Sequence, residues 1–309
     1  MIRLLSRYFL VSACALFVGL AEAGDLQRAE LPDGRTLSYR EIGNPQGPLV
    51  FYFHGLPGSH REASLIEEEI CRAGIRVVAV DRPGMAQSTF QPGRKISDWA
   101  RDMEFLANHL DYENKKFGIL AVSGGTPYAC ACALAMGHRI SHLALVTPFA
   151  PRKAEGVEKS SLDFLLQTAA RHPNLAKLVL SSQNRQLERN PDKAAEKGMR
   201  PFLPEEQEFV LGQPEVKQDF IANLEQIAYQ GPRGVVTEIR LLAKPWDIDV
   251  SEIRGVEVSL WAGGRDEIAP ESMAKYFWQQ IEGSRLFIDP ETGHLSTLKE
   301  QAGRILSKF

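Results

Sequence analysis

Apolar residues fall along this chain in two kinds of stretch. In some they form short unbroken runs; in others they recur every three or four residues among polar ones. Leu49-Val50-Phe51-Tyr52-Phe53 is an unbroken run, as expected of a strand covered on both faces of a sheet. Further strand-like stretches occupy residues 77–80, 117–121, 143–146, 256–261 and 286–288. Between them the helical period predicts helices over about 62–73, 99–110, 126–136 and 271–281, with a last one reaching Phe309 and Gly74 placed to stop the first. Strands alternating with helices imply a mostly parallel central sheet with helices on both faces. Ahead of this alternation, residues 26–31 and 36–41 flank Pro32-Asp33-Gly34, a turn signal that predicts a β-hairpin.

The alternation stops near Pro148 and resumes near Val256. The polar, helix-compatible stretch between is too long for a structureless loop and reads as a mostly helical insertion. The expected organisation is therefore a core of residues 24–148 and 246–309, interrupted by an insertion of residues 149–245.

The first residues differ from the rest. Arg3 and Arg7 precede an apolar stretch over 8–21, and Ala21-Glu22-Ala23 offers small residues where a signal peptidase reads them. Residues 1–23 read as a signal peptide cleaved after Ala23, which implies a periplasmic or secreted protein starting at Gly24. An uncleaved anchor, a lipoprotein signal with Cys14 as the lipidated residue and a misassigned start codon are the competing readings. The apolar stretch is shorter than the roughly 20 residues of a membrane-spanning helix, so no stable membrane insertion is expected once the signal is removed. Loss of Cys14 would leave Cys71, Cys130 and Cys132, expected to be apolar packing residues; no spacing suggests a disulfide framework or a metal site. The chain has 309 residues, a net charge of −3 and basic residues without any run, so nucleic acid is not expected as a partner.

The chemistry concentrates at strand ends. Ala121-Val122-Ser123-Gly124-Gly125 follows a strand and opens a helix, a tight turn that holds a serine out above the sheet; the alternative is a serine that only caps the helix. A serine hydroxyl needs a base to act as nucleophile. Of seven histidines, His294 alone lies directly after the final strand, at the sheet edge where Ser123 emerges. Asp266 follows the strand at 256–261 through Ala262-Gly263-Gly264-Arg265 and can orient the imidazole, whereas Asp247 and Asp249 precede that strand. His54-Gly55-Leu56-Pro57-Gly58-Ser59, directly after the first unbroken run, offers the Leu56 N–H as an oxyanion donor beside that of Gly124. His54 is expected to brace this loop.

Together these segments resemble the α/β-hydrolase superfamily over nearly all of the chain after residue 23. The resemblance rests on residues 54–59, on Asp81-Arg82-Pro83-Gly84, on Ser123-Gly124-Gly125-Thr126-Pro127-Tyr128, on Gly264-Arg265-Asp266 and on Gly293-His294. Ala121 and Ala86 stand where such relatives often carry glycine. The resemblance implies an α/β-hydrolase fold whose insertion caps the active site. It also implies a serine hydrolase that acts on a carboxylic ester or related small acyl substrate with no metal or organic cofactor. Serine at 123 argues against dehalogenase and epoxide-hydrolase chemistry, which uses aspartate there. Aminopeptidase, carbon–carbon hydrolase and lyase activities, or a non-catalytic binding protein on the same fold, stay open. Phe164, Leu165, Leu166, Phe202 and Phe209 of the insertion either line an apolar pocket or form its own core, and their helical spacing favours the core.

Overall fold

The structure, a computed structural model, describes residues 26–309. The signal-peptide reading of residues 1–23 and the alternatives at Cys14 therefore lie outside the described residues. Eight strands form one sheet: β1 (Gln27–Glu30), β2 (Thr36–Gly43), β3 (Leu49–Phe53), β4 (Arg76–Val80), β5 (Phe117–Val122), β6 (Ile140–Val146), β7 (Val258–Gly263) and β8 (Arg285–Asp289). Their order is β1-β2-β4-β3-β5-β6-β7-β8. The hairpin forms as expected, with Gln27 opposite Tyr39 and Glu30 opposite Thr36, and β2 runs antiparallel to β4; every later pairing is parallel.

The run at 49–53 lies between β4 and β5 with all five residues buried. Successive side chains point to opposite faces. Phe51 and Phe53 join Phe117, Trp99 and Met103 on one face. Val50 and Tyr52 join Ile66, Ile70 and Leu298 on the other. Helices α1 (Glu67–Ala73) and α11 (His294–Leu306) cover this second face. Helices α2 (Trp99–His109), α3 (Thr126–Met136) and α10 (Glu271–Gln280) cover the first. Cys130 and Cys132 are buried within α3 and Cys71 is exposed; none is paired.

One predicted helix is really two. Residues His60–Ile66 wind as a 3-10 helix before α1 begins, and Gly74 ends α1 in the left-handed conformation at φ 69°. The tighter turn carries Glu62 inward, where its carboxylate accepts hydrogen bonds from Gly55 N and Tyr52 Oη. The strand expected over 256–261 is displaced to 258–263, and β6 starts three residues earlier than its apolar run.

Between β6 and β7 the described residues form six helices: α4 (Asp163–Arg171), α5 (Pro173–Arg189), α6 (Pro191–Met199), α7 (Pro204–Leu211), α8 (Pro214–Ala228) and α9 (Arg233–Ala243). Four open with proline at the first helical position, where its missing N–H costs nothing and its fixed φ already suits the helix. Among the described residues no helix is long and apolar enough to cross a membrane.

Candidate active site

All the singled-out residues sit at the carboxyl ends of parallel strands: Leu56 after β3, Ser123 after β5, Asp266 after β7 and His294 after β8. Ser123 has φ 49°, a left-handed conformation that a non-glycine residue adopts only when its surroundings impose it. The glycines after it show why the turn is so tight. A Cβ on Gly125 would lie 2.4 Å from the Phe53 carbonyl oxygen, and one on Gly124 would lie 2.7 Å from Leu56 Cβ. The elbow thus packs directly against the loop after β3.

That loop is pinned from below. Arg82, fully buried, donates from Nη1 to the His54 carbonyl at 2.6 Å and from Nη2 to the Gly55 carbonyl at 2.8 Å. The Gly55–Leu56 peptide is trans, so with its carbonyl turned to Arg82 its N–H points the opposite way, and it finds no acceptor among the described residues. A Cβ on Gly124 would lie only 3.2 Å from Leu56 N, which brings the two expected oxyanion donors side by side. His54 braces the loop: its Nδ1 lies 2.9 Å from the Gly55 carbonyl. Burial, with Arg82 adding, drives its pKa down to about 3. His60, a loop histidine in the sequence, is buried with its Nδ1 2.8 Å from Asp81 Oδ2.

His294 Nδ1 lies 2.7 Å from Asp266 Oδ2. The other Asp266 oxygen accepts the N–H groups of Ile268 and Ala269 at 2.9 and 2.8 Å, which fixes the carboxylate in its turn. Burial alone would depress the His294 pKa. The charge and hydrogen bond of Asp266 outweigh it, Glu206 and Glu62 add to them, and the net shift is upward from 6.5. Ser123 and His294 line the same cavity of about 560 Å³, which Phe202, Phe209, Phe220 and Leu224 of the insertion close from above. Among the described residues no hydrogen bond joins Ser123 Oγ to His294; Asp266 and His294 are brought into contact, while Ser123 shares their cavity.

Glutamates that the sequence reading passed over, with the arginines they pair with, organise this site. Glu62 accepts the Gly55 N–H at 2.9 Å, and burial raises its pKa. Glu238 of α9 is fully buried and receives Arg82 Nε at 2.9 Å, Tyr128 Oη at 3.0 Å and the guanidinium of Arg94. Burial would push its pKa up, but the two arginines hold it down at about 2. Glu206 of α7 caps two helices at once. One oxygen accepts the Leu203 N–H at 3.0 Å, at the start of its own helix. The other accepts Leu295 N, Ser296 N and Ser296 Oγ, each at 2.8 Å, at the start of the helix that His294 opens. Its neighbour Glu205 pairs with Arg265, beside Asp266. Arg82 and Arg265 stood in segments that the sequence marked; the glutamates lie on polar helix faces that look solvated until the chain folds. Among the described residues no group of three or more His, Cys, Asp or Glu side chains is placed to hold a metal ion.

Of the five apolar residues singled out in the insertion, only Leu166 joins a packed cluster, contrary to the expectation of a common core. Phe202 and Phe209 line the cavity, Leu166 packs against a small cluster of Met85, Val235 and Ile239, and Phe164 and Leu165 face outward. Amphipathic spacing names an apolar face but not what covers it.

The sheet order, the elbow and the loop positions define an α/β-hydrolase fold. The chain belongs to the alpha/beta hydrolase fold family, whose model matches residues 48–301. No curated protein matches the chain. Among solved structures it is similar to a hydrolase from Pseudomonas aeruginosa, at 21% identity over 93% of this chain and 99% of the other, with a TM-score of 0.69. It is also similar to an esterase from Exiguobacterium antarcticum (18% identity, 91% and 97% coverage, TM-score 0.67). A third similar structure is the enol-lactonase from Burkholderia xenovorans (18%, 91% and 97%, TM-score 0.64). At these identities the likeness is one of fold.

Proposed function

We propose that the protein is a serine hydrolase that cleaves a carboxylic ester or related small acyl compound through an acyl-enzyme. Ser123 Oγ attacks the carbonyl carbon as its proton passes to Nε2 of His294. That proton then goes to the leaving oxygen as the carbon–oxygen bond breaks. Water, deprotonated by the same imidazole, releases the acid and restores Ser123. Asp266 keeps the imidazole proton on Nδ1, which leaves Nε2 free to act as base, and stabilises the imidazolium. The Leu56 and Gly124 N–H groups receive the negative charge that builds on the carbonyl oxygen.

The observation that carries this reading is the 2.7 Å contact of His294 with Asp266 in the wall of the cavity into which the strained Ser123 elbow opens. Serine–histidine bonds are often long before substrate binds and tighten in the complex. Esterases and a lactonase among the similar structures fit the same chemistry. Residues 149–245 would act as the cap that selects substrate by size. Residues 1–23 would direct the protein to the periplasm or beyond and be removed after Ala23, which amino-terminal sequencing from the native host would test.

The decisive experiment is labelling by a fluorophosphonate, followed by turnover of acyl esters of graded chain length. The wild-type chain is labelled and turns over; Ser123→Ala does neither while it unfolds at an unchanged temperature. Undiminished turnover in purified Ser123→Ala would overturn the assignment.

A further inference from the structure

The two helices that open the insertion carry large apolar side chains on their outer sides. On α4, Phe164 is 82% and Leu165 62% exposed; on α5, Leu175, Leu178 and Val179 are 53%, 63% and 48% exposed. The inner sides of these helices are already satisfied. Leu166, Ala169, Ala170 and Leu180 pack onto the cluster of Met85, Val235 and Ile239, and Ala176 is buried. Leu175, Leu178 and Val179 are spaced three and four apart and share one face of α5. Single exposed apolar residues are ordinary on a protein surface; five on two adjoining helices mark an interaction surface.

The charges of this region say what it meets. Helices α4 and α5 carry Arg171, Lys177, Arg185 and Arg189 against two carboxylates, Glu188 and an Asp163 that pairs with Arg152, in a chain with 39 Asp and Glu and a net charge of −3. Among the described residues Arg171 bonds only to the neutral Gln167, and Lys177 lies between Leu175 and Leu178. A second copy of the chain in a two-fold contact would press these cations against one another. A bilayer with anionic headgroups accepts both parts: the apolar side chains enter the boundary between headgroups and acyl chains, and the cations meet the lipid phosphates.

We infer that the α4–α5 corner docks the protein peripherally on an anionic lipid surface. The test is co-flotation of the full chain at low salt with phosphatidylcholine vesicles, and with phosphatidylcholine vesicles containing phosphatidylglycerol. The protein floats with the phosphatidylglycerol vesicles only, and salt releases it. Phe164→Ser with Leu178→Ser lowers the bound fraction by about tenfold or more, and Arg171→Gln with Lys177→Gln lowers it to a similar degree. These side chains face solvent, so the variants keep the wild-type unfolding temperature. The inference is overturned if wild-type protein ignores anionic vesicles or floats equally with neutral ones. It is also overturned if both variants bind as wild type, which places the contact elsewhere, residues 1–23 included. A wild-type dimer that light scattering finds dissociated in the Phe164 and Leu178 variant would assign the patch to a second copy instead.

Discussion

The sheet and the insertion are stabilised in different ways, and the site lies on their seam. Strands β3, β5 and β7 bury every residue they have, in two apolar layers. In the insertion, α4 buries no residue and α8 buries only Asn223. Besides the small apolar cluster around Met85, carboxylates join the two: Glu238 of α9 closes on Arg82 and Arg94, and Glu206 of α7 closes on the start of α11. Hydrogen-bonded carboxylates add directional contacts to this apolar packing and help fix one register. The insertion is therefore held in part by contacts that also hold the loop after β3 and the His294 helix.

The largest effects belong to the sheet side of the seam. Asp266→Asn keeps the shape but removes the charge that sets the imidazole tautomer, and turnover of an acyl ester should fall on the order of 10⁴-fold. The same change should displace the acid limb of the rate–pH profile. With His294 as the proposed base, its raised pKa should place that limb above 6.5 in the wild type, and activity should rise with pH as the imidazole loses its proton. Without Asp266, burial dominates and the residual activity begins to rise at lower pH. A limb that stays in place would mean another group controls the ionisation.

Next comes the buried charge of α9. Glu238→Ala leaves two buried guanidinium groups without their carboxylate and should cost about 3–5 kcal/mol in denaturant unfolding. In the wild type, a carboxylate held down at about 2 contributes stability at every pH above its ordinary 4.5, and that contribution is lost as pH falls toward 2. The variant should therefore show a shallower acid decline than wild type between those values. Equal slopes would show that the pair contributes nothing to the seam.

Glu206 tests whether the insertion reaches the site through one carboxylate. Glu206→Gln keeps the length of the side chain and removes its charge. It should shift the acid limb of activity to lower pH, because one of the charges that raises His294 is gone. Turnover should fall by roughly tenfold, within the cost of about a 1 Å misplacement. Glu206→Asp keeps the charge but shortens the reach, so it should lose rate with the limb little moved. If both variants match wild type in rate and limb, α7 does not position the histidine.

The sheet was legible because a strand covered on both faces permits only one pattern. The runs at 49–53 and 117–121 needed no partner to be recognised, and the loops after parallel strands must emerge at one edge. Ser123, Asp266 and His294 could be placed at that edge from strand order alone. The insertion was legible as helical but not in its facing. Phe164 and Phe209 have the same chemistry and spacing, yet one meets solvent and the other the cavity. Glu206 and Glu238 were invisible for a related reason: a buried carboxylate is defined by the groups that reach it, and the arginines on Glu238 lie 144 and 156 positions away while the Leu295 and Ser296 N–H groups on Glu206 lie 89 and 90 away. Proline at the first position of α5 to α8 was a usable signal that would have fixed where those helices begin.

The smallest effect bears on the elbow itself, where the sheet side carries strain. Ser123 sits at φ 49° because Gly124 and Gly125 bring the turn against the loop after β3 and leave the serine no relaxed alternative. A left-handed non-glycine residue costs on the order of 1 kcal/mol, and glycine adopts the same conformation freely. Glycine also loses more chain entropy on folding, which offsets part of the gain. Ser123→Gly should therefore be inactive yet as stable as wild type or more stable, by up to about 1 kcal/mol, while Ser123→Ala, which keeps the Cβ and the strain, should not gain. The comparison of the two variants isolates the backbone term, since both lack the hydroxyl. A glycine variant less stable than the alanine variant would show that the strain at the elbow is smaller than the chain entropy that glycine loses.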